Sequence, residues 1–74
     1  MGNSTAAIRE QLMVNNKEYQ RLYEEHERYD AQLMQLESKK FLTEQEQVEE
    51  VRLKKLKLRA KDQMEQLVHR AMGA

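Results

Sequence analysis

Between residues 3 and 72 the chain has neither proline nor glycine, so nothing in this stretch forces the backbone out of a helix. The dominant residue types are Glu, Gln, Lys, Leu, Arg, Met and Ala, whose side chains lose little rotamer freedom in a helix. The sequence therefore predicts an all-α protein. A chain of 74 residues has room for one small domain, which we expect to span residues 1–74.

Apolar residues in the first half recur at alternating spacings of three and four, the pattern of a coiled-coil seam. Asn15 and His26 fill the two gaps in this pattern. The predicted seam consists of Ile8, Leu12, Asn15, Tyr19, Leu22, His26, Tyr29, Leu33 and Leu36. Because Asn16 is a favourable N-cap, a short leading segment is expected to bend near residues 15–16. The first helical stretch is thus predicted over about residues 5–39.

The clearest turn signal is a capping box, Thr-Glu-Gln-Glu, that begins at Thr43. In this motif the Thr43 hydroxyl accepts a hydrogen bond from the Glu46 amide, and the Glu46 carboxylate accepts one from the Thr43 amide. The sequence therefore predicts a turn over about residues 39–43. Phe41 and Leu42 are expected to cover this end of the molecule as an apolar lid.

The second helix is predicted over about residues 44–72 and carries two apolar stripes. The main stripe consists of Leu53, Leu56, Ala60, Met64, Leu67 and Ala71. A shorter stripe of Val48, Val51 and Leu58 lies well round the helix from the first, at 100° per residue. Two stripes predict two neighbours. One is the first helix of the same chain, in an antiparallel, coiled-coil-like hairpin; the other is a helical protein partner or a second copy, giving a dimeric helical bundle.

Charge is divided between the two parts of the chain, although the total is zero. Residues 1–51 hold 6 basic and 11 acidic side chains, and residues 52–74 hold 7 basic and 2 acidic ones. The basic run consists of Arg52, Lys54, Lys55, Lys57, Arg59 and Lys61. A hairpin that turns near residues 41–42 places residue 30 opposite residue 53, and Tyr19 and Leu22 opposite Met64 and Ala60. The basic run then faces an acidic segment made up of Glu24, Glu25, Glu27 and Asp30.

Two functions follow from this pattern. The first is a structural or protein-interaction module in which charge pairs beside the seam set the direction of helix pairing. The alternative is binding to nucleic acid or to another anionic surface through residues 52–61. A net charge of zero gives no long-range attraction to nucleic acid, so the first function is favoured.

His26 and Asp30 are the candidate polar pair, because residues four apart lie on one face of a helix. A polar residue in the seam, held by Asp30, is expected to fix helix register. Two ligands make only half of a metal site, and lysines fill the opposing positions, so we predict neither metal nor cofactor. The chain also has no cysteine and no Gly-rich phosphate loop. We therefore expect no catalytic residues and no enzymatic activity.

No apolar run approaches the roughly 20 residues of a membrane span, and no segment resembles a secretory signal. A cytoplasmic location is expected.

Two segments of the chain resemble the YdcH-like family of small bacterial proteins. The first, from Tyr19 to Leu36, contains Leu22, His26, Tyr29-Asp30 and Leu33, and corresponds to the family's His-x-x-Leu-Asp segment. The second, residues 53–64, reads Leu-Lys-Lys-Leu-Lys-Leu-Arg-Ala-Lys-Asp-Gln-Met and corresponds to its Leu-Lys-Lys-x-Lys-Leu-x-x-Lys-Asp segment. The resemblance covers about residues 15–68. This sequence departs from the pattern at Tyr29, where the family has Leu, and at Lys17, where it often has Pro.

The resemblance implies an antiparallel helical hairpin of unassigned function in the bacterial cytoplasm, and it implies no activity. The positions that match the family pattern are His26, Asp30, Lys54, Lys55, Lys57, Lys61 and Asp62.

Overall fold

A computed structural model describes residues 5–73, and in this range the protein consists of three α-helices and no strand. Helix α1 covers Thr5–Asn15, α2 covers Lys17–Glu37 and α3 covers Glu44–Ala71. The predicted all-α class is confirmed for these residues. Helix α2 ends two residues before the predicted position, at Glu37, and α3 begins where the capping box predicts.

The break between α1 and α2 lies at Asn16, whose backbone is extended, with φ of −114° and ψ of 112°. The Oδ1 atom of Asn16 accepts a hydrogen bond from the Tyr19 amide at 2.9 Å. The side-chain amide of Gln20 donates to the carbonyl oxygen of Met13 at 2.6 Å, so a carbonyl of the last turn of α1 is also satisfied. All of these partners lie within seven residues of one another, which is why the sequence alone predicts the bend.

The start of α3 is a complete capping box. The Thr43 hydroxyl accepts from the Glu46 amide at 3.1 Å, and Glu46 Oε1 accepts from the Thr43 amide at 3.0 Å. Lys39 forms an ion pair with the same carboxylate. The hydrogen bond from Lys39 and those from Thr43 hold the pKa of Glu46 below its ordinary value. The turn is therefore closed by groups from both of its sides.

The prediction that Phe41 and Leu42 cover this turn is wrong for Phe41. Leu42 is partly buried, but the side chain of Phe41 is 84% exposed. Residues 38–43 leave Phe41 outside the space between the helices, so its ring meets solvent.

The apolar core lies where α2 packs against α3. The buried side chains are Tyr19, Leu22, Leu33, Leu53, Ala60, Leu67 and Val68. All of them except Val68 belong to the predicted seam or to the main stripe of the second helix. Ala71 and Asn15 also belong to the predicted stripe and seam, but both are exposed because they lie at helix ends.

Val68 is 2% exposed because α1 packs over the far end of the core. Tyr19, Leu22, Leu67 and Val68 form one cluster of buried residues. Ile8 and Leu12 of α1 pack against this cluster, together with Met64. The leading helix is therefore part of the packed structure. Side chains of α3 are buried by α1 as well as by α2.

Contacts join the end of α2 to the start of α3, and the start of α2 to the end of α3. Lys39 beside α2 meets Glu46, Asp30 meets Lys57 at 2.5 Å, and Tyr19 and Leu22 lie with Leu67 and Val68.

The contacts lie about one turn further along α3 than the predicted register. That register places residue 53 opposite Asp30, and the contact is made by Lys57. Tyr19 and Leu22 likewise cluster with Leu67 and Val68, and Met64, which the prediction places opposite Tyr19, packs against the same cluster. The shift has a geometric cause: Cα–Cβ bonds tilt toward the N-terminus of each helix, so the side chain that reaches a given level comes from a residue further along.

Candidate functional site

The side of α3 that faces away from α2 carries three exposed apolar residues, Val48, Val51 and Leu58. Their exposed fractions are 69%, 52% and 59%. At 100° per residue, these positions lie on the opposite side of α3 from the buried Leu53 and Ala60. We call Val48, Val51 and Leu58 the outer stripe. Lys55 lies between Val51 and Leu58, so the spacing along this face is three, four and three.

Two rows of cations run along the outer stripe, and Lys55 of the first row falls in line with the stripe itself. We call Arg52, Lys55 and Arg59 the Arg52 row, and Lys54, Lys57 and Lys61 the Lys54 row. The Arg52 row lines an open groove with Val48, Val51 and Leu56. The Lys54 row lines a second open groove, on the other side of α3, with Leu58, His26 and Leu33. The basic run predicted from the sequence is therefore not one patch, because the helix divides it into two rows with apolar residues between them.

Half of these six cations form ion pairs with acids of the same molecule. Lys57 pairs with Asp30 of α2 at 2.5 Å. Arg52 pairs with Glu49 at 2.9 Å and Lys54 with Glu50 at 3.9 Å, both within α3. For the other three, Lys55, Arg59 and Lys61, no acidic oxygen of the described residues lies within 4 Å.

The predicted pairing of the basic run with the acidic segment of α2 is therefore wrong except at Asp30. Glu24, Glu25 and Glu27 form no ion pair within residues 5–73, because Glu24 and Glu27 lie on the exposed side of α2. Glu49 and Glu50 are not among the predicted partners, although they precede Arg52 by three residues and Lys54 by four, a spacing that indicates ion pairs within a helix.

Asp30 also has a different partner from the one expected. Its Oδ1 atom accepts a hydrogen bond from Lys57, and the hydrogen bond expected between His26 and Asp30 is not formed. The hydrogen bond and the charge of Lys57 hold the pKa of the Asp30 carboxyl below its ordinary value, and the nearby His26 lowers it further. Asp30 thus joins α2 to α3, while His26 is partly buried beside Lys61 and Leu58.

The described residues offer no metal centre, since no three His, Cys, Asp or Glu side chains between residues 5 and 73 lie close enough to share an ion. Nor does any helix in that range combine the length and the apolar character needed to cross a membrane. Burial raises the pKa of Tyr19, whose ring belongs to the core cluster.

Residues 20–68, about two thirds of the chain, match a protein family described as "Protein of unknown function (DUF465)". No curated protein and no solved structure matches the chain.

Proposed function

This chain belongs to the YdcH-like family of small proteins of unknown function, DUF465, and we propose that it is a non-enzymatic module that acts by helix association. In this proposal α2 and α3 form an antiparallel, coiled-coil-like hairpin, and the outer stripe of α3 binds a further helix. That helix comes from another protein or from a second copy, in which case the product is a dimeric helical bundle. The resemblance to bacterial proteins supports a bacterial, cytoplasmic setting for this role.

Three contacts support the hairpin. The ion pair of Lys39 with Glu46 lies at the turn, that of Asp30 with Lys57 lies further from it, and the cluster that contains Tyr19 and Leu67 lies further still. Residue numbers fall along α2 as they rise along α3, as they must in an antiparallel pair.

The observation that carries the binding role is the exposure of the outer stripe. More than half of the surface of each of Val48, Val51 and Leu58 meets solvent, although other apolar residues of the same helix are buried. Burying one such side chain stabilises a complex by about 1.5 to 3 kcal/mol before the costs of association. Together with Lys55, these positions are three, four and three residues apart, which is a spacing that a partner helix can follow.

Site-specific photo-crosslinking in cells tests this role. A photoreactive phenylalanine analogue at position 51 is expected to form adducts with protein, and Leu58→Glu is expected to remove them. The matched control places the analogue at Gln63, which is exposed and polar, and there we expect no adduct. Equal adducts from positions 51 and 63, or none from either, would contradict the proposal.

A second candidate function is binding to an anionic surface, and it is supported by one observation. Lys55, Arg59 and Lys61 have no acid of the described residues within 4 Å, so their charges are available to a ligand. Filter binding to duplex DNA, RNA and acidic lipid at low salt tests this function, since phosphate contacts weaken steeply as salt rises. Retention that falls with salt and is lost in Lys55→Glu/Arg59→Glu would support it. Absence of retention at low salt would exclude it.

A further inference from the structure

Between Val48 and Lys61 the outer face of α3 combines apolar and basic groups in a definite order. An exposed acid lies on the same face one turn before Val48, at Glu44, and another one turn after Leu58, at Asp62. Lys55 stands within the outer stripe, between Val51 and Leu58, and the unpaired cations Arg59 and Lys61 stand on either side of Leu58. In coiled coils, residues beside an apolar seam choose the partner by charge, and a charged residue within the seam fixes register. We therefore expect this surface to prefer partner helices that carry one sign of charge over apolar helices in general.

A second copy of the chain is a poor occupant in a two-fold arrangement. A two-fold axis brings the same patch of both subunits together. If the two outer stripes pack on each other, the Arg52 and Lys54 rows of both copies also meet, and like charges across an interface oppose association. Glu49 and Glu50 offset only part of this repulsion, because each is already paired with a cation of its own helix. Glu44 and Asp62 do not offset it either, because an antiparallel pair with Val48 packed on Leu58 of the other copy brings Glu44 opposite Asp62, and these are like charges.

The acidic side of α2 in a second copy is no better as a binding surface for the outer face of α3. Glu24 and Glu27 are exposed there, and Met34 offers an apolar contact. However, at 100° per residue Glu24 faces away from the core, as the outer stripe does on α3, so the two surfaces point in opposite directions from one molecule. Contacts between such different patches run head to tail, so they build rings or open chains instead of a closed two-fold pair.

We infer that the outer face of α3 binds an acidic amphipathic helix of another protein, an inference that rests on the proposed helix-association role. The partner presents leucine-like side chains to Val48, Val51 and Leu58. Its flanking Asp and Glu residues reach Arg59 on one side and Lys61 on the other, and a further acid meets Lys55. Charge discriminates between partner helices, because a basic helix with the same apolar residues would place positive charges against Lys55, Arg59 and Lys61.

Nucleic acid and membrane fit this face less well. Contacts with phosphate need cations, and the valine and leucine side chains between the rows contribute nothing to them. Helices that lie on membranes carry a wide apolar face with large apolar side chains. Here three side chains of moderate size are interrupted by Lys55, and no aromatic residue belongs to the face.

Two designed helical peptides of 21 residues test the inference with the full-length protein. Both carry Leu at the two seam positions of each heptad; one has Glu at the flanking positions, and the other has Lys. In fluorescence anisotropy at low salt, we expect the Glu peptide to bind at least about tenfold more tightly than the Lys peptide, as about 1.4 kcal/mol of charge discrimination requires. This ratio is expected to shrink at 0.5 M salt, where the Debye length is well below 10 Å.

Charge reversal supplies the decisive variant. Lys55→Glu/Arg59→Glu/Lys61→Glu is expected to reverse the preference to the Lys peptide. The matched control is Arg21→Glu/Arg28→Glu/Lys40→Glu, which changes the net charge equally at exposed positions away from α3 and should keep the wild-type preference. All of these side chains are exposed, and circular dichroism of each variant verifies that the helices persist.

Several outcomes overturn the inference. Equal affinity for both peptides, no affinity for the Glu peptide, or tighter binding to a DNA duplex or to phosphatidylglycerol vesicles would each do so. If sedimentation shows a dimer that Leu58→Glu dissociates while neither peptide binds, the helix-association role stands and the acidic partner falls. If the protein is also monomeric and position 51 forms no adducts, both fall.

Discussion

Lys57 Nζ donates a hydrogen bond to Asp30 Oδ1 at 2.5 Å, and this contact joins α3 to α2 across 27 positions of sequence. It also engages one cation of the Lys54 row in an ion pair within the molecule. The same bond keeps Asp30 charged, which makes the packing of the two helices sensitive to acid. The pair therefore links the stability of the fold to the charge on the outer face.

The first prediction concerns the stability of the protein at acidic pH. Because Lys57 lowers the pKa of Asp30 from its ordinary value of 3.8, the folded protein binds this proton less readily than the unfolded chain. The ion pair thus stabilises the fold above about pH 4, and its contribution is lost as the pH falls through the lowered pKa. We expect the free energy of unfolding, measured with urea between pH 3 and pH 7, to fall less in Asp30→Asn than in the wild type.

Glu46 provides a second, independent carboxylate for this experiment, since Lys39 and Thr43 lower its pKa as well. Glu46→Gln should remove a separate part of the acid sensitivity, so the double variant should be less sensitive than either single one. An Asp30→Asn protein with the same pH dependence as the wild type would contradict the role given to Lys57.

The second prediction concerns the start of α3. Thr43→Ala removes the side-chain oxygen that accepts from the Glu46 amide, and it should destabilise the protein by about 1 kcal/mol in urea denaturation. Thr43→Ser keeps the hydroxyl and should be nearly neutral. If Ala and Ser have equal effects, the cap does not stabilise α3.

The third prediction compares two valines of the same helix. Val68 is 2% exposed and Val48 is 69% exposed. We expect Val68→Ala to lower the free energy of unfolding by about 1.5 to 3 kcal/mol, because it removes buried apolar surface. Val48→Ala should change it by no more than about 0.5 kcal/mol. Thermal and urea unfolding followed by circular dichroism measure both, and similar losses would mean that the outer stripe is buried in solution.

The fourth prediction concerns the leading helix. With 11 residues, α1 is too short to be stable alone, so its helicity depends on the packing of Ile8 and Leu12 on the core cluster. Leu12→Ala should therefore speed amide hydrogen exchange within α1 while the middle of α3 stays protected.

Arg9 and Met13 serve as comparisons in this exchange experiment. Arg9 pairs with Glu65 at 2.5 Å, but both side chains are well exposed, so Arg9→Gln should have a small effect, within about 1 kcal/mol. Met13→Ala changes an exposed residue and should leave exchange in α1 unaltered. If exchange responds to Arg9→Gln as strongly as to Leu12→Ala, α1 is held by charge and not by apolar packing.

Much of the candidate surface follows from spacing in the sequence. Val48, Val51 and Leu58 lie off the main stripe of α3 by helical periodicity alone, and all three are exposed as that stripe requires. The distribution of charge around them does not follow so directly. Arg52 and Lys54 pair within α3 with Glu49 and Glu50, at spacings that the sequence shows, but the pairing of Lys57 depends on Asp30 of the facing helix. The free set of Lys55, Arg59 and Lys61 is therefore defined completely only in the packed structure.

The sequence by itself determined the helices and the positions where α2 and α3 begin, because Asn16 and Thr43 find their hydrogen-bond partners three residues away. Tertiary structure decided the rest. Val68 is buried because α1 packs beside it, and Asp30 meets Lys57 instead of His26 because a lysine from the facing helix reaches its carboxylate. Local geometry is encoded within a helical turn, whereas these contacts depend on how three helices pack and on which long side chains reach across.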